Sequence, residues 1–296
     1  MPEAPPHITF PTLSPNLADQ KWKLFLEEAP DGATNLALDE ILLDRVSEAN
    51  APTTTYLRFY GWAQPTLSLG FAQKASRVVN FDFCRRHQIQ VVRRITGGRA
   101  VLHHQEVTYA VISNDQILFS KPSIKATYYE IARGLSCGLQ HLGIETSLAV
   151  LSKKKQKALR VNFCSACFTR SHNHEILFAG KKLIGSAQRR TQRAFLQHGS
   201  ILLDLDLDLS AGAIQGITAP NLASSIATVK SCLGYVPDWT LITSCLQEGF
   251  RQIFQIRFKR AWFDQGIWAH AKALAETTYV KPKSSNYLGI PAPTPS

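Results

Sequence analysis

The segment VNFCSACFTRSHNHEI sets Cys164, Cys167, His172 and His174 close together. Thiolate and imidazole are the preferred ligands of zinc, so metal binding is the first chemistry to weigh. The spacing argues against it. A structural zinc draws its ligand pairs from separate turns, whereas His172 and His174 lie one residue apart and point to opposite sides of an extended chain. No second Cys-x-x-Cys pair is present, and the expectation is that the chain holds no metal. A thiol nucleophile is the sharper alternative, and it needs a nearby cation or backbone donors to hold its thiolate. Lys182 follows Gly180 closely enough for a sheet to bring it to Cys167. On residue types alone, the commoner reading is that Cys167 is a small buried hydrophobe and Lys182 a surface charge.

A third feature is RRITGGRAVLHH, Arg93 to His104, where two glycines interrupt a pair of strands and expose bare backbone to whatever binds there. Its spacing is neither G-x-G-x-x-G nor G-x-x-x-x-G-K-[ST], which removes the physical basis for a dinucleotide site or a P-loop. Arg93, Arg94 and Arg99 can hold an anion or remain solvated loop charges, and His103 is open in the same way.

These residues need elements to position them. Asn35 suits the cap of a helix whose apolar face is Leu38, Ile41, Leu42 and Val46, with Asp39 and Glu40 in its first turn. TYLRFY from Thr55 and the alternation over Thr66 to Phe71 predict two neighbouring strands joined by a turn at Gly61 to Pro65. Val91 to Ile95 and Val107 to Ile112 read as strands around the glycine loop. A helix follows, with Pro122 in its first turn, Ile124, Tyr128, Ile131, Leu135, Leu139 and Leu142 at helical spacing, and Gly143 at its end. Glu175 to Phe178 and Leu183 to Ser186 read as a hairpin turning at Gly180. Ser200 to Leu209 reads as a strand whose wet face is Asp204, Asp206 and Asp208. Ile242, Leu246, Phe250 and Ile253 predict one late helix, and Ile267, Ala271 and Leu274 another. Short hairpin spacings favour a mixed, largely antiparallel sheet with packed helices over alternating βαβ units.

The chain has 296 residues, 45% hydrophobic and 19% charged, a globular composition. The Pro-rich residues 1–20 and residues 279–296 read as tails around a single domain, 21–278. Lys+Arg 33 against Asp+Glu 22 gives a net charge of +11, which calls for an acidic partner. The charge run at Lys153 to Lys157 reads as a solvated loop. No basic-aromatic stripe of the RNA-binding kind is present, so nucleic acid is not expected. No apolar run approaches the ~18 residues of a membrane span. Scattered cysteines and a start, MPEAPPHITF, without a basic flank or apolar core lead to the expectation of a cytoplasmic protein with reduced thiols.

Taken in order, NLALDE from Asn35, LRFYGW from Leu57, PTLSLGFAQ from Pro65, RRITGGRAVLHHQEVTYAV from Arg93, ACF ending at Phe168, GKKLIGSAQRR from Gly180 and LQHGSILLDLD from Leu196 resemble the biotin/lipoate protein ligase superfamily, most closely its LipM-type octanoyltransferases. The resemblance covers most of the chain. It implies the superfamily's mixed α/β catalytic fold, related to class II synthetases. It places Cys167 at the family nucleophile and Lys182 at the family lysine ahead of the GSA strand. It also implies an acyl tunnel lined by Arg94, Thr96, Gly97, Gly98, Arg99, Ala100 and His103 from the loop, and by Gly185, Ser186 and Ala187. His104 stands where family members commonly have Asp, and Cys164 is an additional thiol.

By this resemblance an octanoyl group leaves acyl carrier protein, rests on the cysteine as a thioester, and moves to a lysine of a lipoyl domain such as the glycine cleavage H protein. No cofactor and no ATP are implied. The rivals are an ATP-dependent lipoate ligase and a lipoyl amidotransferase of the same superfamily. Cys167 argues against the ligase, and so does Arg99, where the ligase loop usually carries a third glycine. The loop TGGRAVLH differs from that of the amidotransferases.

Overall fold

TYLRFY, EVTYAVIS and FLQHGSIL bear apolar side chains at positions of both parities, the pattern of strands covered on both faces. In the computed structural model, which describes residues 22–27, 29–116, 119, 123–149 and 175–280, they are β2 (Thr55–Tyr60), β6 (Glu106–Ser113) and β10 (Phe195–Leu202), buried throughout. They form the middle of an eight-stranded sheet ordered β11-β1-β2-β6-β10-β9-β8-β7. Its other strands are β1 (Trp22–Glu27), β7 (Ser147–Leu148), β8 (Ile176–Phe178), β9 (Lys181–Arg190) and β11 (Phe258–Arg260). β1 runs parallel to β2 and β11, and every other pairing in this sheet is antiparallel. The expected mixed, largely antiparallel sheet is the one observed.

Alternation along the central strands feeds two cores. Leu57, Phe59, Val107, Tyr109 and Val111 pack with α3 (Ile124–His141) and α7 (Trp239–Phe254), while Tyr56, Tyr60, Ala110 and Ile112 pack with α1 (Gly32–Ser47) and α8 (Gln265–Leu274). A second sheet, β4-β3-β5, comprises β3 (Thr66–Leu69), β4 (Gln90–Arg93) and β5 (Val101–His103). It builds a third core with α2 (Phe81–Arg86), α4 (Leu207–Ala213) and α5 (Ala219–Ser225). A short helix, α6 (Val229–Leu233), leads on to α7.

Three sequence expectations are corrected. Asp31, not Asn35, caps α1, accepting from the Thr34 amide at 3.1 Å. Asn35 lies inside the helix, where its amide donates to the Gly61 and Pro30 carbonyls, and Asp39 lies beyond the first turn, facing the sheet. β2 and β3 are not neighbours: both edges of β2 are taken by β1 and β6, so the chain from Gly61 to Pro65 crosses to the small sheet. Ser200–Leu209 is not one strand. β10 stops at Leu202, Asp206 caps α4 through the Leu209 amide at 2.8 Å, and Asp204 pairs with Lys230 at 2.6 Å. These aspartates satisfy a helix end and a surface cation. Pro122 and the run at Lys153 to Lys157 lie outside the described residues.

The β8–β9 hairpin turns at Ala179 and Gly180, with φ of 47° and 78°, so the predicted turn at Gly180 holds. Helices α3, α7 and α8 fall where their apolar spacing puts them.

α3 and α7 approach closely because their contact is made of glycines. A Cβ at Gly138 would lie 2.6 Å from Leu246 Cα, and one at Gly249 would lie 2.2 Å from the Gly138 nitrogen. Backbone cannot yield as a flexible side chain can. Gly138→Val is therefore expected to lower unfolding free energy by about 1–3 kcal/mol through overpacking, read as a reduced urea midpoint at unchanged slope. An unchanged midpoint counts against this account of the crossing.

Candidate active site

The loop between β4 and β5 folds back over β9. Gly98 adopts φ 91°, and a Cβ at Gly70 would lie 2.0 Å from the Gly98 carbonyl oxygen, so the turn after β3 touches the loop backbone directly. The loop covers a cavity bounded by Leu36, Tyr60, Trp62, Val101, Thr108, Gly199 and Ser200, together with Arg94, His103, Gly185, Ser186, Ala187 and His198. Gly199 pairs with Ser186 across β9 and β10. A Cβ at Gly199 would lie 2.5 Å from Gly185 O and 2.7 Å from Ser186 Oγ. The missing side chains at this point leave the room that forms the cavity wall.

Arg94 organises the loop. Its Nη2 donates to the carbonyls of Gly97 and Arg99 at 2.9 and 2.7 Å, its Nη1 to the carbonyl and hydroxyl of Ser68, and its Nε to Thr96 Oγ1. Each hydroxyl touches a histidine: Thr96 Oγ1 lies 2.8 Å from His198 Nε2, and Ser68 Oγ lies 2.7 Å from His103 Nε2. Each histidine turns its Nδ1 to a buried carboxylate, Asp39 at 3.0 Å and Glu106 at 2.9 Å. A carboxylate accepts, so Nδ1 carries the proton. Each hydroxyl accepts from Arg94 and has its own hydrogen left to give, so Nε2 accepts. Two carboxylate–histidine–hydroxyl chains thus converge on one guanidinium. Trp62 stacks on His103 with centroids 4.0 Å apart, and its Nε1 donates to Thr108 and Glu106.

Asp39 also accepts from Tyr60 at 3.1 Å and pairs with Arg58, whose other partner is Glu27 at 2.7 Å. Burial raises the Asp39 carboxyl, but Arg58 and His198 outweigh it and hold it below the usual carboxylate range. Burial lowers the His198 imidazole below its ordinary value against the pull of Asp39. Burial lowers Arg58 as well, and Glu27 and Asp39 together reverse this and raise it.

The structure brings Arg94, His103, Gly185, Ser186 and Ala187 together at the cavity. Thr96 is buried between Arg94 and His198, Gly97 and Gly98 face outward, Arg99 contributes its carbonyl to Arg94, and Ala100 is buried in the core of the small sheet. Lys182 is buried on β9, three positions before Gly185, with Nζ 2.5 Å from Glu175 Oε1. Cys164, Cys167, His172 and His174 lie outside the described residues. Among the described residues no cluster of ligands for a metal is present.

Sequence reasoning missed Asp39, Arg58, Ser68, Glu106 and His198. A signal was available: Arg58 interrupts an otherwise mostly apolar strand, and Asn35 and Asp39 share a helix face one turn apart.

The fold, a mixed sheet with helices on both faces, is shared with solved lipoate-protein ligases. Lipoate-protein ligase A solved with bound ATP superposes with a TM-score of 0.68 at 22% identity, covering 86% of this chain and 94% of that one. The bipartite lipoate protein ligase of Thermoplasma acidophilum, solved in a study of it and its E2 lipoyl domain, gives 0.70 at 20%, covering 92% and 97%. Residues 31–251 match the lipoyl protein ligase A/B catalytic domain family, and the chain belongs to it. Similar curated proteins include octanoyltransferase LipM of Carboxydothermus hydrogenoformans, 39% identical over 82% of this chain and 90% of that protein. The LipM proteins of Oceanobacillus iheyensis, at 32% over 88% and 95%, and Clostridioides difficile, at 33% over 90% and 98%, are similar along nearly their whole length. The resemblance drawn from the seven sequence motifs is borne out.

His198 resists protonation when folded, so the stability it contributes is complete above its ordinary value of about 6.5 and declines as pH falls below it. Asp39, held low, contributes above the ordinary aspartate range and loses its share only as pH falls through its depressed folded value. In urea titrations between pH 8 and pH 5, the wild type is expected to lose stability below about 6.5 more steeply than His198→Gln. Parallel curves for the two proteins contradict the assignment.

Proposed function

We propose that the protein is an octanoyltransferase of lipoate assembly, taking an octanoyl group from acyl carrier protein and delivering it to a lysine of a lipoyl domain, the glycine cleavage H protein or a similar acceptor. The observation that carries this reading is the similarity to curated octanoyltransferases over 82–90% of this chain and 90–98% of theirs. The cavity is consistent with it: Leu36, Val101, Ala187 and Gly199 give an apolar guest aliphatic surface beside the hydrogen-bonded polar side chains of the wall. The catalytic unit is proposed to be residues 21–278, acting in the cytoplasm. Among the described residues no helix is long and apolar enough to cross a membrane.

In the proposed reaction the Cys167 thiolate adds to the carbonyl carbon of the incoming thioester. The tetrahedral adduct collapses with release of the carrier thiolate, leaving octanoyl on sulfur. The neutral amine of the acceptor lysine then adds to that carbonyl, the Cys167 thiolate departs, and the amine proton passes to solvent as the amide forms. Exchange of one thioester for another is nearly isoenergetic and amide formation runs downhill, so no nucleotide is consumed. Lys182 is proposed to stabilise the thiolate and the oxyanion of each adduct, with Glu175 fixing its ammonium.

Transfer from octanoyl carrier protein to apo acceptor, run with and without ATP, tests the proposal. Activity is expected without nucleotide. Cys167→Ala should abolish it, and Lys182→Met should reduce kcat about 10²–10³-fold, the usual cost of one oxyanion donor. Full activity in Cys167→Ala, or strict dependence on ATP, overturns the transferase reading in favour of a ligase.

A further inference from the structure

The outer face of the glycine loop carries groups that the cavity does not use. Phe71 is 62% exposed, yet its backbone is held firmly. Its amide donates to the Thr96 carbonyl at 2.9 Å, and its carbonyl accepts from Arg93, which also grips the carbonyls of Gly70 and Gln73. The Arg189 guanidinium stands over the Phe71 ring, 5.9 Å from its centroid, and donates to the Ile95 carbonyl at 3.1 Å. Gly97 and Gly98 are exposed beside them, and their amides meet no acceptor among the described residues. A Cβ at Gly97 would enter open space. On the inner side, a Cβ at Gly98 would lie 3.7 Å from Ala187 Cβ, and Ala187 lines the cavity two positions before Arg189 on β9. One thickness of loop separates this patch from the acyl cavity.

An exposed aromatic ring on a fixed backbone, backed by arginine, has the composition of a binding hot spot. Its charge points to the partner. Arg189 and the two exposed amides are donors suited to an anion, on a chain of net charge +11, and Lys74 and Arg77, both exposed, follow within six residues of Phe71. We propose that Phe71, Arg189 and the Gly97-Gly98 amides receive the phosphodiester-linked arm of an acidic carrier protein as it feeds its thioester into the cavity, an assignment that rests on the octanoyl-transfer reading. The acceptor fits this patch poorly. Its reactive side chain is a lysine, which a guanidinium and N–H donors repel, whereas a phosphodiester matches them in both charge and hydrogen bonding.

The test compares two donors: octanoyl carrier protein, and octanoyl-N-acetylcysteamine, a thioester lacking both protein and phosphate. The readout is the ratio of their kcat/KM values. Arg189→Glu and Phe71→Ala are each expected to lower that ratio about tenfold or more, the loss of one hot-spot contact, with Arg189→Lys retaining part of it. An unchanged ratio in both variants, in a wild type that transfers, overturns the docking site and leaves the transferase reading standing. So does a fall confined to the second half-reaction, from preformed octanoyl-enzyme to acceptor, which assigns the patch to the acceptor instead. Failure of the wild type to transfer from either donor overturns the transferase reading and this inference together.

Discussion

A guanidinium sealed from water must be surrounded by acceptors, and Arg58, fully buried at the middle of β2, imposes that demand on everything near it. Glu27 on β1 and Asp39 on α1 supply the charge, and the Asn35 carbonyl supplies a further acceptor at 3.2 Å. Stability is not its main product, since an apolar replacement of similar volume often does as well energetically. Its product is register. α1 can meet the sheet in only one rotation and one translation, because any other leaves a charge unpaired in the core.

That register is transmitted to the cavity through single atoms. Asp39 spends one oxygen on Arg58 and the other on Tyr60 and His198, which fixes the proton of His198 on Nδ1 and turns Nε2 toward Thr96. Thr96 is itself part of the loop. The chain from Glu106 through His103 and Ser68 reaches Arg94 from the opposite side. The loop backbone is thus held where two independent strand systems agree, β6 and β10 of the large sheet and β3 and β5 of the small one. A glycine-rich segment left to itself samples many conformations. Here its carbonyls are bound to a side chain whose own position is determined twice.

What could be read from the sequence follows from whether a residue's role is local. The hairpin at Gly180, the spacing of α3, α7 and α8, and the bare glycines of the loop depend on near neighbours, so residue types reveal them. Asp31 and Asn35 both suit the start of α1, and only the distant Gly61 carbonyl decides which is drawn inward. Sequence adjacency favours pairing β2 with β3, while the saturation of both β2 edges is a property of the assembled sheet. The polar core was invisible for the same reason. Asp39 is separated from His198 by 159 positions, and each looks ordinary until its partner is known. The glycine loop stands out by contrast, because bare backbone is written in missing side chains, whereas the GSA segment is marked only by the family resemblance.

The polar wall also bears on the apolar guest proposed for the cavity. Arginine, two histidines, serine, threonine and tryptophan are poor lining for a hydrocarbon chain if their donors and acceptors are left open, since each unmet group costs about 1–3 kcal/mol. Here each nitrogen of the Arg94 guanidinium donates to a loop or strand oxygen, each histidine is engaged at both ring nitrogens, and the indole of Trp62 is engaged as well. The donors of the arginine, the histidines and the tryptophan are engaged within the wall, and the surface left facing inward is mainly apolar. A lining built this way keeps the rigidity of a hydrogen-bonded network while presenting the chemistry of an apolar one. An entirely aliphatic wall, with no directional bonds, could not hold a glycine loop in place above it.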